Sequence, residues 1–130
     1  ELEERLVRLD PRSPMVWQSR VLTAAGERDA NRVATLTQQA IDMLADNPDG
    51  LRLVFFAARG EGYPVEALRL NVAFARTGSA HDSHFLSVRT WLLVDDFERA
   101  RASAIKMEQS GDETGARVSR YLQSEIAGLR

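Results

Sequence analysis

The sequence predicts an all-α protein built from antiparallel helix pairs. Apolar residues recur at spacings of three and four along most of the chain, the signature of helices with one buried face. Proline, glycine and asparagine cut the 130 residues into short segments. The apolar pattern also repeats itself: units beginning at Pro14, Pro48 and His81, 34 and then 33 residues apart, can be stacked.

The elements follow in order. Leu2, Leu6, Val7 and Leu9 give residues 2–9 one apolar helical face. Asp10, Pro11, Ser13 and Pro14 stop that helix and start the next, over 15–26. Val33, Leu36, Ala40, Ile41 and Leu44 mark the buried side of a helix over 30–46, broken by Asn47 to Gly50. A helix over 50–60 takes the run LRLVFFAA. Phe55 and Phe56 alone would also suit a strand, and the repeat register decides for helix. Pro64 opens a helix over 64–76, which Thr77, Gly78 and Ser79 end. Helices over 81–94 and 96–109 make the third pair, closed by Ser110, Gly111 and Asp112. In the last segment Val118, Leu122 and Ile126 recur every four residues beside Tyr121, a terminal helix suited to sealing an exposed core.

Counting from the first residue of each unit, position 4 holds Trp17, Leu51 and His84, position 8 holds Val21, Phe55 and Val88, and position 11 holds Ala24, Ala58 and Trp91. These share a face of the first helix. Positions 20, 24 and 27 share a face of the second, with Val33, Ala67 and Ala100 at position 20 and Ala40, Phe74 and Met107 at position 27. A small residue at position 20 lets the two helices approach closely. The turn falls where the chain reads GERD, GEGYP and VDDF.

On these residues the units resemble tetratricopeptide repeats (TPR). Trp17 matches that family's first-helix aromatic, Ala67 and Ala100 its second-helix alanine, YPVEALRL and DDFERARA the opening of its second helix, and Pro48 its closing proline. The repeats are degenerate. No unit has the family's glycine at position 8, His84 and Asn71 stand where larger apolar or aromatic residues are usual, and Val33 replaces an alanine. The resemblance implies a single TPR-like solenoid domain over 1–130. Its parts would be half of an earlier repeat at 1–11, repeats at 14–47, 48–80 and 81–112, and a capping helix at 113–128. It implies a protein-protein interaction or scaffold module whose first helices line a concave groove. The matching inward positions are Met15, Gln18, Leu22 and Ala25, then Asp49, Arg52, Phe56 and Arg59, then Asp82, Phe85, Arg89 and Leu92. Gln18, Arg52, Phe56, Arg59, Phe85 and Arg89 are the candidate partner-binding residues. Phe56 and Phe85 would be apolar anchors and the arginines would hold an acidic group. The competing reading packs both phenylalanines on neighbouring helices and leaves the arginines solvated. The carboxylate clamp of one TPR variant is not expected, since Gln18 and Leu22 stand where it needs lysine and asparagine.

Composition narrows the chemistry. Cysteine is absent, which removes disulfides and thiolate zinc sites. A net charge of −2 argues against a nucleic-acid partner. No apolar run is long enough to insert in a membrane. The cationic residues are arginine except for Lys106, a bias that fits a GC-rich bacterial genome. Cytoplasm and periplasm fit equally. Because the chain begins with Glu1, the expectation is a piece of a longer protein. His81, Asp82 and His84 form the one ligand-like cluster. Three such groups on one turn fall short of a metal set, and the reading is a helix start with His84 packed at the repeat interface. Asp95 and Asp96 are adjacent and cannot face each other on a helix. No nucleophile motif or phosphate loop is present. The expectation is therefore a non-enzyme without cofactor, binding a protein or peptide. The alternative is a structural spacer, or self-association through residues 1–9 or 113–126.

Overall fold

The computed structural model describes residues 5, 10–111 and 113–129, the side chain of Thr114 left aside. Among them the chain forms seven α-helices and no strand: α1 (Pro14–Gly26), α2 (Ala30–Met43), α3 (Pro48–Gly60), α4 (Pro64–Phe74), α5 (Ala80–Leu93), α6 (Phe97–Ser110) and α7 (Glu113–Gly128). The fold is all-α, and Phe55 and Phe56 lie inside a helix. The helix expected over 2–9 falls, Arg5 excepted, outside the described residues. Three helices end short of the expected bounds, α2 at Met43 rather than 46, α4 at Phe74 rather than 76 and α5 at Leu93 rather than 94. In α2 the cause is Leu44, whose backbone leaves the helix (φ −109°) while its side chain turns fully into the core.

The turns α1–α2, α3–α4 and α5–α6 are one structure repeated. Each first helix ends at a residue with left-handed backbone, Arg28 (φ 57°), Gly62 (φ 85°) and Asp95 (φ 57°). Each is residue 15 of its unit. The amide of that residue donates to Ala25 O, Arg59 O or Leu92 O at 3.0, 3.1 or 3.2 Å. The next amide donates five residues back, to Ala24 O, Ala58 O or Trp91 O at 3.0, 3.0 or 2.9 Å. This pair of bonds satisfies carbonyls that a helix end leaves open. Residue 16 then starts the second helix. The carboxylates of Asp29 and Asp96 accept the Arg32 and Arg99 amides, each at 3.1 Å. Tyr63 makes no such bond, and its helix starts on Pro64 instead. Between pairs, Asn47 caps α3 through the Gly50 amide (3.0 Å) and Ser79 caps α5 through the Asp82 amide (3.1 Å).

Packing divides the chain into two compact units, Glu1–Thr77 and Gly78–Arg130, parted within the Thr77-Gly78-Ser79 stop. In the first, α1 packs on α2 and α3, α3 on α4, and α2 on α3 and α4. The buried faces are Trp17, Val21 and Ala24 on α1, Val33, Leu36 and Ala40 on α2, Leu51, Phe55 and Ala58 on α3, and Ala67, Leu70 and Phe74 on α4. Each large apolar side chain buried here contributes about 1.5–3 kcal/mol against exposure. Position 24 is polar in both pairs, as Thr37 and Asn71, yet buried. The Trp17 indole N–H donates to Pro11 O at 2.7 Å, so the ring is buried with its polar edge satisfied. A Cβ on Gly50 would lie 2.9 Å from Pro14 Cγ, so the start of α1 approaches α3 where α3 carries no side chain.

In the second unit α6 packs on both α5 and α7. Val88, Ala100, Ala104 and Ile126 form its core, with Trp91, Leu92, Phe97 and Leu122 against them. The buried seam of α7 runs through Gly115, Ser119 and Ile126, with Leu122 half-buried. Ser119 Oγ donates to Ala104 O. This corrects the every-fourth-residue reading, since Val118 and Tyr121 are exposed. At 3.6 residues per turn, eight residues end about 80° from where they began, whereas the eleven from Gly115 to Ile126 close to within about 20°.

Candidate functional site

The predicted groove residues divide between the units, and each group has its own setting. On α1, Met15 is 71% exposed, Leu22 is exposed, Gln18 is half-buried and Ala25 is buried, so Ala25 offers no surface. On α3, which packs against α1, Phe56 is 38% exposed while Phe55 is fully buried. The two rings meet edge to face at 5.2 Å, so Phe56 rests on the core and keeps part of its surface in water. Arg52 donates to Asp49 at 3.1 Å, and both side chains are well exposed. The pair is worth little in stability, yet it offsets part of the positive charge that the sequence suggests for this face. Arg59 is half-buried near the end of α3.

In the second unit Phe85 and Arg89 stand four residues apart on α5, both half-buried. Phe85 is therefore a partial contributor to packing rather than a free anchor.

The histidine cluster has structural partners. His81 Nδ1 donates to Met107 O at 3.1 Å, a carbonyl that also accepts from Ser110 Oγ at 3.3 Å. The ring fills a notch between Gly111 and Gly115, where a Cβ on either glycine would collide with it. Asp82 lies in the first turn of α5. The His84 imidazole is held below its ordinary pKa, first by burial, then by the charge of Lys106 and by His81. Among the described residues no three His, Asp or Glu side chains converge as a metal set, and no helix is long and apolar enough to cross a membrane. Asp96 is a helix cap, bonded to the Arg99 amide and, at 3.1 Å, to its guanidinium.

One surface was not anticipated. On α4, Val65, Leu68 and Val72 are exposed on the side away from Ala67, Leu70 and Phe74. Leu68 and Val72 line a cleft with Ile41 of α2. A second cleft, between α1 and α2, is lined by Trp17, Arg20 and Met43. Val65, Leu68 and Val72 share one side of α4 at i, i+3, i+7, but apolar residues on its other sides hide that stripe in the sequence.

No family model, curated protein or solved structure matches this chain.

Proposed function

We propose that this chain is a non-catalytic interaction module of degenerate TPR-like helix pairs, and that it binds a partner peptide or protein through its first helices. The observation that supports this most is the division of α1 and α3 into two faces. One is fully buried. The other leaves Met15, Leu22 and Phe56 in water beside Gln18, Arg52 and Arg59. Exposed apolar residues on packed neighbouring helices fit a docking face with apolar anchors and polar edges. Phe56, braced by Phe55, is the anchor, since a ring fixed before binding loses little freedom on contact.

The test is capture from a bacterial lysate with identification by mass spectrometry, followed by calorimetry on the captured partner. Phe56→Ser should weaken binding by about 2 kcal/mol, a typical loss for a central anchor. Arg52→Glu should weaken an acidic partner further, and circular dichroism should show both variants folded. Unchanged affinity in Phe56→Ser would remove the α1–α3 face from the reading.

A second reading, self-association, is favoured by the C-terminal helix, where Val118 and Tyr121 on α7 and Leu129 just after it are exposed. Sedimentation velocity over a range of concentrations decides it, since a chain that stays a monomer throughout has no self-association to explain.

A further inference from the structure

We infer that the first unit carries a second docking surface, on α1, α2 and α4, for an amphipathic helix of a partner protein whose apolar stripe is flanked by carboxylates.

The surface has an apolar floor. The α2–α4 cleft encloses about 330 Å³ over Ile41, Leu68 and Val72. The α1–α2 cleft encloses about 390 Å³ over Trp17 and Met43. Asp42 borders both, so the two clefts lie on either side of α2. Val72 is 55% exposed, and Leu68 and Met43 are also open to water. This is the form in which a groove receives the i, i+3, i+4, i+7 residues of a helix.

Its charge selects the occupant. Arg20, Arg69 and Arg76 line the clefts with one carboxylate, Asp42, among them. Among the described residues none of the three arginines forms a salt bridge. Arg69 donates to the neutral amide oxygen of Gln38, and the Arg20 guanidinium lies 5.3 Å over the Trp17 ring. Asp42 already accepts from Gln38 Nε2 at 3.0 Å. A carboxylate on the incoming helix would accept from the Arg69 and Arg76 guanidiniums, which line the α2–α4 cleft. A nucleic-acid strand fits less well, because phosphates need no apolar floor and Asp42 would oppose them. A bilayer fits less well because the apolar residues line recesses rather than a protruding wedge.

The experiment is NMR on the full ¹⁵N-labelled chain. The probes are a designed helical peptide with leucines at i, i+3, i+4 and i+7 flanked by glutamates, the same peptide with lysines for the glutamates, and phosphatidylserine vesicles. The acidic peptide should shift the amides of Met43, Leu68, Val72 and Arg76 and leave Met15 and Phe56 in place. Val72→Asp and Arg76→Glu, both at exposed positions, should each weaken it about tenfold, and the lysine peptide should bind about tenfold more weakly. A folded amide spectrum for each variant shows that the loss is local. Equal binding of both peptides, shifts centred on Met15 and Phe56, a preference for the vesicles, or no shift would each overturn the inference. Phe56→Ser leaves this surface intact, so its failure and that of the α1–α3 face are read separately.

Discussion

Residue 15 of each unit shows how one dihedral ends a helix. A left-handed backbone at Arg28, Gly62 and Asp95 allows the two backward hydrogen bonds that close each first helix. Glycine takes that conformation freely, and a side chain is strained in it. Gly62→Ala should therefore lower stability by about 1 kcal/mol, and Arg28→Gly should raise it by up to about 1 kcal/mol. Urea midpoints check both, and an unshifted Gly62→Ala midpoint would mean that residue 62 is not left-handed. Glycine advertises this turn in the sequence once. Arginine and aspartate do so poorly, which is why the common structure of the turns was less legible than their place. The core was legible because burial follows helical period: Trp17, Val21 and Ala24 are buried as their register requires, and so are Leu51, Phe55 and Ala58. The same register separated Phe55, fully buried, from Phe56, half in water.

At the scale of elements, faces are harder to read than periods. Arg52 was legible as an outward residue, but its engagement by Asp49 one turn earlier depends on rotamers. On α4 an apolar residue falls on nearly every side, a pattern that also describes a fully buried helix. Only the packing shows that Leu68 and Val72 reach water. The α5–α6 pair makes a prediction of its own through His84, which faces Lys106 of α6 and His81 of its own helix. Its pKa in the fold lies below the ordinary 6.5, so between the two values the unfolded chain binds more protons. The contribution is complete above pH 6.5, declines as the pH falls toward the folded value, and is level below it. Melting temperatures across this range should fall on acidification, and His84→Gln should flatten the fall. A profile that keeps its slope in His84→Gln would assign the titration to other groups.

At the scale of the whole molecule, the two units differ in what holds each together. The side chains buried most completely in the first unit include Phe55, Leu44, Leu51, Leu70, Val21, Val33 and Val54. Among the described residues those of the second are fewer, Leu86, Ile126, Val88 and Thr90, with Met107, alanines and half-buried aromatics and leucines around them. Hydrophobic stabilisation scales with apolar area removed from water, so less of it is available to α5–α7. Chains of helix pairs also open locally, at free energies below that of global unfolding. Native-state hydrogen exchange by mass spectrometry, under rising sub-denaturing urea, should find α5–α7 exchanging first. The peptides of α1–α4 should hold their protection to higher denaturant. Ala100→Gly, which thins the second unit's core and adds backbone freedom to α6, should widen the gap by about 1 kcal/mol or more. If peptides from both units lose protection at one urea concentration, and move together in Ala100→Gly, the chain unfolds as one cooperative body and the difference between the two cores does not govern its opening.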